Sequence, residues 1–240
     1  MWIAKIFNML RPSLSNRAPE FLARFSLVGL TGFLFALGAC ATTRQDVQVQ
    51  KLQARSSFEI GMGHLREGKL GSAQPALEEA IRLDPDQPLY LNSLGLVNLE
   101  LRRFGDAKAL FEQAIRIDPN YADAYHHLGV ALAESGRWSE AAQAYQSALA
   151  IPAYRNRASS YHNLGWAYLN QGRDRDAEEA FTQSLQLEPQ LASSHYHLGL
   201  VYEKARRLPE ARETFKRAEA LDPEGPIGRA AREHLKRLGP

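Results

Sequence analysis

Small and large apolar residues alternate with helical spacing in five segments of the chain. In each segment a small residue is followed by a large one four positions later and by another small one three positions after that. Residues at i, i+4 and i+7 lie on one face of an α-helix. The five sets are Ala73, Leu77, Ala80; Ala107, Phe111, Ala114; Ala141, Tyr145, Ala148; Ala177, Phe181, Ser184; and Ala211, Phe215, Ala218. This pattern predicts five amphipathic helices that share one packing face.

A glycine recurs upstream of each of these helices, always after a leucine or an isoleucine. The glycines are Gly61, Gly95, Gly129, Gly165 and Gly199, and their spacing is constant except for a slightly longer interval before Gly165. A fixed period of about 34 residues indicates a helix-turn-helix solenoid. Glycine inside a helix costs roughly 1 kcal/mol against alanine, so we expect close packing of a neighbouring helix to compensate for it.

Prolines mark the end of each unit at Pro85, Pro119, Pro152, Pro189 and Pro223. Proline disfavours helical geometry in the residue before it, so each second helix is expected to end there. The predicted units are residues 54–87, 88–121, 122–157, 158–191 and 192–225. Residues 226–240 follow with an apolar face and a charged face, which is typical of a C-terminal capping helix. Residues 40–53 are predicted to be a linker whose later part begins a helix that covers the other end.

This order of glycine, alanine, aromatic residue, alanine and proline resembles the tetratricopeptide repeat. The resemblance implies an all-α fold: a right-handed superhelical solenoid of five helix-turn-helix repeats with a C-terminal capping helix. It also implies a concave groove, lined by the first helices, that binds another protein. The predicted groove residues are Phe58, Met62, Leu65, Leu89, Asn92, Leu96, Leu99, His126, Val130, His162, Trp166, Leu169, Tyr196 and Leu200. The alternative for each of them is packing between repeats.

Residues 1–39 have the features of a bacterial export signal. A basic start is followed by an apolar run from Phe25 to Leu37. This run is too short to span a bilayer comfortably and suits a signal peptide. It ends in Leu37-Gly38-Ala39-Cys40, which resembles a lipobox, and Cys40 is the one cysteine of the chain. The resemblance implies cleavage after residue 39 and a lipid on Cys40; the alternative is an ordinary signal peptide with an incidental cysteine.

The residue after the cysteine and the charge balance refine this interpretation. Ala41 does not resemble the aspartate that retains lipoproteins in the inner membrane, so an outer-membrane, periplasm-facing location in a Gram-negative bacterium is expected. The whole chain has a formal net charge of +2. Removal of residues 1–39 takes away four basic residues and one acid, which leaves basic and acidic residues almost balanced. Because charges are mixed along the helices, a nucleic-acid partner is not predicted.

Catalytic and metal-binding motifs are missing from the sequence. There is no HExxH or paired-cysteine spacing, no GxSxG, no Walker loop and no dinucleotide fingerprint. Five histidines, His126, His127, His162, His195 and His197, fall on first helices, where packing or groove lining is the simpler interpretation than a metal site. We therefore predict a protein that is not an enzyme. It is expected to have no metal, no cofactor and no small-molecule substrate, apart from the covalent lipid.

One irregular junction separates the third and fourth units. The insertion falls between Pro152 and Arg157, where the longer glycine spacing arises. The sequence Pro152-Ala153-Tyr154 and the later Asn163-Leu164-Gly165 resemble the type IV pilus pilotin family, although Arg155 stands where proline is expected. Members of that family are outer-membrane tetratricopeptide lipoproteins. The resemblance implies a pilotin that helps the pilus secretin reach the outer membrane and assemble there.

Two other functions remain open on the sequence alone. A general periplasmic adaptor that docks peptidoglycan hydrolases or proteases would have the same groove and anchor. A hydrolase accessory protein with hidden catalysis would need a catalytic constellation that no motif indicates.

Overall fold

The computed structural model describes the backbone of residues 21–239 and the side chains of residues 44–239. Within this part the chain forms helices and no strands. Their bounds are α1 Phe21–Arg66, α2 Leu70–Leu83, α3 Pro88–Glu100, α4 Phe104–Ile117, α5 Ala122–Glu134, α6 Trp138–Ala150, α7 Arg157–Asn170, α8 Asp174–Leu187, α9 Ala192–Lys204, α10 Leu208–Leu221 and α11 Pro226–Leu238. None of the helices in the described residues is long and apolar enough to cross a membrane.

The chain up to Gln50 and the chain from Lys51 onward form two separate compact units. In the second unit, consecutive helices pair as antiparallel hairpins, because α3 packs on α4, α5 on α6, α7 on α8 and α9 on α10. Each hairpin also packs on the next through α4 and α5, α6 and α7, and α8 and α9. The result is the predicted all-α solenoid of helix-turn-helix repeats, with α11 packed on α10 as the predicted capping helix.

A close contact between a glycine and a large side chain holds each hairpin together. A Cβ atom placed on Gly129 would lie 2.5 Å from Cε1 of Tyr145, and one placed on Gly165 would lie 2.8 Å from Cε1 of Phe181. The same close contact occurs in the other three units, between Gly61 and Leu77, between Gly95 and Phe111, and between Gly199 and Phe215. The large residues are almost fully buried, and the small residues before and after them are buried too. This confirms that packing compensates for the glycine within the first helix.

Each turn between the two helices of a unit contains a residue in the left-handed region. Glycine occupies this position in three units, as Gly68, Gly136 and Gly172. Arg102 has φ 58° and Arg206 has φ 61° at the corresponding positions of the other two units. A residue with a Cβ is disfavoured by roughly 1–2 kcal/mol in this conformation. The turn geometry is therefore imposed by helix packing, since two arginines adopt it.

The capping helix is fixed at its start by one aspartate. Asp222 Oδ2 accepts hydrogen bonds from the backbone N–H groups of Ile227 (3.0 Å) and Gly228 (3.3 Å). Ala231 is fully buried against the apolar cluster of Phe215 and Ala218. Because these bonds satisfy free N–H groups at the helix start, Asp222 both ends the last repeat and begins the cap.

The N-terminal end of the solenoid differs from the predicted linker and cap. Residues 40–53, which were expected to form a linker and then a cap, lie within the continuous helix α1. Ile60 is 55% exposed, whereas Leu94 and Leu198 at the equivalent positions of later units are 7% and 5% exposed. In those units the leucine packs against the preceding repeat. The described residues supply no such layer for the first unit.

The glycine contact generates a stability prediction. Gly129→Ala should destabilise the protein by about 1–3 kcal/mol, because the new methyl group overlaps the Tyr145 ring. Gly105→Ala is the matched control, since Gly105 lies within helix α4 and a Cβ there meets nothing within 4 Å. This control should be neutral or stabilising by up to about 1 kcal/mol. Urea unfolding followed by circular dichroism measures both; equal stability of the two variants would contradict the packing account.

Candidate functional site

The first helices of successive repeats lie side by side and form one continuous surface. Helix α3 contacts α5, α5 contacts α7, and α7 contacts α9. Residues at equivalent positions therefore line up across the repeats. We call the surface formed by the fourteen predicted residues the groove. Twelve of the fourteen are partly buried, Leu89 is 46% exposed and Asn92 is 4% exposed. Partial exposure is compatible with binding and also with packing, so the groove assignment stays a prediction.

Two rows of side chains give the groove an apolar strip, which we call the apolar lane. The first row contains Met62, Leu96, Val130, Trp166 and Leu200, and the second contains Leu65, Leu99, Ala133 and Leu169. Within a helix the two rows are three positions apart, so they share one face. All nine side chains are partly buried and pack with one side against the core. The lane is thus a partly accessible apolar surface supported from beneath.

A row of hydrogen bonds beside the lane links α3 to α5, α5 to α7 and α7 to α9. His126 Nδ1 lies 2.6 Å from Ser160 Oγ, and His162 Nδ1 lies 2.9 Å from Ser194 Oγ. Asn92 Oδ1 and His127 Nδ1 are 2.9 Å apart. His126, His162 and Asn92 were predicted as groove residues, and the structure gives each a role between repeats. Ser160 and Ser194 are both fully buried, and they are not among the residues predicted from the sequence, because their histidine partners belong to the preceding repeat.

Burial holds the histidines of this row, and the adjacent His197, in the neutral form. Burial lowers the pKa of His127 and His197 to about 4. Burial, with a smaller contribution from the neighbouring His127, lowers the pKa of His126 to about 4. Burial and the nearby His197 lower the pKa of His162 to about 3. At neutral pH the row therefore carries hydrogen-bonding capacity and no charge. Within the described residues no group of three or more histidine, cysteine, aspartate or glutamate side chains is placed to hold a metal ion.

Trp166 belongs partly to the core and partly to the groove. Its ring packs edge-on against Trp138, with centroids 6.5 Å apart, and lies 4.6 Å from the His197 ring. It also packs against the largest buried cluster. Its position in the repeat places Trp166 among the predicted groove residues. The observed contacts mean that Trp166→Ala removes packing between the third, fourth and fifth repeats as well.

The inserted loop between α6 and α7 is anchored by a buried tyrosine. Tyr154 is 6% exposed, and its hydroxyl lies 2.7 Å from Ser160 Oγ. Arg157 donates to the carbonyl of Leu149 at 2.8 Å, and Asn156 donates to Asp123 Oδ1 at 3.3 Å. Because Ser160 also contacts His126, the loop is connected through Tyr154 to the row of hydrogen bonds between first helices. A shallow cavity of about 360 Å³ lies beside it, lined by residues 120–123, 151 and 153–156.

The apolar lane ends at the capping helix. His234 of α11 lies 2.6 Å from Glu203 Oε2 and stacks on Phe215, with ring centroids 4.7 Å apart. Tyr196 meets the edge of the same His234 ring at 5.7 Å. Glu203 occupies the position that leucine or alanine holds in the earlier units. A bound apolar segment is therefore expected to lie over the first four units.

The neutral histidines generate a pH prediction. Their pKa values are about 3–4 in the folded protein and about 6.5 in the unfolded chain. Between these values the unfolded chain binds more protons, so stability falls as pH falls from about 6.5 towards 4. From pH 7.5 to pH 5 the free energy of unfolding should drop by at least about 2 kcal/mol.

Urea titrations at the two pH values measure this drop. His162→Asn removes one of the titrating groups and should reduce the difference. An unfolding free energy that is the same at both pH values would contradict the assignment of neutral, buried histidines.

Comparisons with known proteins identify the repeat. One family profile for the tetratricopeptide repeat matches residues 58–122 and 162–226, and a second matches residues 98–164. A search of curated proteins gave no match. Among solved structures, PilF of Pseudomonas aeruginosa is similar, with 22% identity, a TM-score of 0.69, and coverage of 80% of this chain and 94% of PilF.

Two further structures have the same fold. PilW, described as a widely conserved type IV pilus biogenesis factor, has 21% identity, a TM-score of 0.66, and coverage of 77% of this chain and 92% of PilW. MamA has 26% identity, a TM-score of 0.61, and coverage of 68% of this chain and 94% of MamA. At the identities of PilF and PilW the likeness establishes the fold and not the partner. The first profile alone matches more than half of the sequence, and the chain belongs to the tetratricopeptide-repeat family.

Proposed function

We propose that this protein is an outer-membrane lipoprotein that acts as pilotin and assembly factor for the type IV pilus secretin. The observation that carries the proposal is the combination, in one chain, of a sequence that resembles a lipobox and ends at Cys40, and a repeat array whose single irregular junction has the Pro152-Ala153-Tyr154 loop. The fold likeness to PilF and PilW, along about four-fifths of this chain, supports the same proposal.

The groove supplies the binding surface in this proposal. A tetratricopeptide solenoid is a protein-interaction scaffold, and it buries no closed active-site chamber between its repeats. The apolar lane offers partly exposed side chains over four units, supported by the core beneath. Contiguous apolar side chains that stay accessible to solvent are typical of interaction sites. The protein is therefore proposed to act by binding a secretin segment, without catalysis and without a cofactor.

In this proposal the lipid on Cys40 directs the protein to the outer membrane. Residues 1–39 are proposed to be removed as a signal peptide, and the thiol of Cys40 to carry the lipid. The signal peptide and the side chains of Leu37, Gly38, Ala39 and Cys40 lie outside the residues whose side chains the structure describes. Three acyl chains bind a membrane far more strongly than the single chain that gives only marginal attachment. A secretin subunit held in the groove would travel with the lipoprotein to the outer membrane.

A general periplasmic adaptor is the second candidate. MamA, which is 26% identical to this chain, has the same fold, and its name does not refer to pili. The fold likeness is therefore not restricted to pilus proteins. An adaptor for peptidoglycan hydrolases or proteases would use the same groove and anchor. The two candidates differ in what is lost when the gene is removed.

Deletion of the gene in its native host should abolish secretin multimers and pilus-dependent twitching motility. Wild-type protein should restore both, and Cys40→Ala should not, because the unlipidated protein cannot deliver its partner. Immunoblots of unheated and heated envelope fractions measure the multimers, and labelled palmitate measures lipidation of the two complementing proteins.

Normal secretin multimers in the deletion strain would contradict the pilotin proposal. Altered cell-wall turnover in that strain would then favour the adaptor. Palmitate labelling that is equal in wild type and Cys40→Ala would contradict the lipobox assignment, whichever partner is bound.

A further inference from the structure

The middle of the apolar lane differs from its ends in both shape and charge. In the second row the side chains are leucines in the first, second and fourth units, but Ala133 in the third. Helix α5, which carries Ala133, lies between α3 and α7, which carry Leu99 and Leu169. An alanine side chain ends at Cβ, so the surface of the lane has a depression at Ala133, between the two leucines. We call this depression the low point. Val130, one turn before Ala133, is also the smallest residue of the first row.

Two acidic side chains border this low point. Glu100 follows Leu96 by four positions on α3, and Glu134 follows Val130 by four positions on α5, so each lies one turn beyond a lane residue on the same helix face. Both glutamates are exposed. The corresponding positions in the other units hold Arg66, Asn170 and Lys204. Negative charge on this border is therefore confined to the second and third units.

Basic side chains nearby do not neutralise these two carboxylates, so both can bind a cation from a partner. Arg102 Nη2 is 3.9 Å from Glu134 Oε2, and the two side chains are 75% and 49% exposed. A pair this long and this exposed contributes little. Glu100 makes no salt bridge with any residue that the structure describes. By contrast, Lys204 at the far end of the border is paired with Asp174 at 2.6 Å.

We propose that this part of the lane is a specificity site for a partner segment with an apolar residue next to a lysine or arginine. The low point at Ala133 receives the apolar side chain. Glu100 and Glu134 receive the cation at the edge of the lane. The neutral histidine row on the other side of the lane adds no positive charge that would repel it. The inference rests on the proposed function, because it takes the groove as the binding surface and names the chemistry of the bound segment.

The site is tested by selecting random short peptides displayed on phage against the full-length protein in detergent. Enriched peptides are expected to have a leucine, phenylalanine or tryptophan next to, or one position away from, a lysine or arginine. A synthetic peptide of the enriched sequence should bind the double variant Glu100→Gln/Glu134→Gln at least tenfold more weakly. It should also bind Ala133→Leu at least tenfold more weakly, because the larger side chain fills the low point.

Matched controls separate binding from folding. Glu179→Gln/Glu213→Gln neutralises two exposed acids on second helices, and Ala220→Leu adds the same side-chain volume at an exposed position of the second helix α10; both should bind the peptide like wild type. Circular dichroism melts of every variant establish that it is folded.

Three results would overturn the inference in distinguishable ways. Enriched peptides without a basic residue, or unchanged affinity in Glu100→Gln/Glu134→Gln, would remove the charge assignment. If such peptides still lost affinity in Ala133→Leu, groove binding and the proposed function would stand. If no enriched peptide responded to any groove variant, both the specificity site and binding in the groove would fail.

Discussion

The contact between a glycine of the first helix and a large side chain of the second determines the geometry of every repeat. At Gly129 a methyl group would overlap Tyr145, and the same relation recurs in all five units. Such a contact fixes how closely the two helices approach and how they are rotated about their axes, because interiors are packed as densely as organic crystals. Five nearly identical hairpins then stack with nearly identical offsets. That regularity is what places equivalent residues of the first helices in rows.

The groove follows from those rows, and its two sides have different physical roles. On one side buried histidines are hydrogen-bonded to serine or asparagine on the neighbouring first helix, as in the pair of His162 and Ser194. These links satisfy polar groups that would otherwise be costly to bury, and they hold neighbouring repeats in register. On the other side the apolar lane is left partly accessible. Rigid links beside an accessible lane give a preorganised surface, which reduces the entropy lost when a partner binds.

The sequence predicts the parts of this structure that depend on local periodicity. The position of Gly129 relative to Tyr145, the start of α11 after Pro223 and the irregular junction near Pro152 all follow from spacing within one or two helices. Side-chain pairs between repeats do not follow in the same way. The bond between His126 and Ser160 joins two different repeats and depends on the offset between two hairpins. Many histidines and serines have similar spacings without touching, so no motif selects this pair.

Packing between repeats also decides three features that the local sequence pattern does not fix. Trp166 occupies a groove position by register, yet the rings of Trp138 and His197 bury part of it. Arg102 adopts a turn conformation suited to glycine because the helices on either side fix the turn. Ile60 is exposed because the described residues supply no preceding repeat to cover it. In each case the local pattern is correct, and the neighbouring element decides the outcome.

Site-specific photo-crosslinking in living cells tests whether the first-helix groove is the surface that holds the partner. A photoreactive amino acid is placed at Leu89, which is 46% exposed in the groove, or at Leu187, which is 52% exposed at the end of the second helix α8. Because the two sites are similarly accessible, Leu187 controls for random collision. We expect the Leu89 variant to give a covalent adduct that contains the secretin and the Leu187 variant to give none. Adducts of equal yield at both positions, or an adduct at Leu187 alone, would contradict binding in the groove.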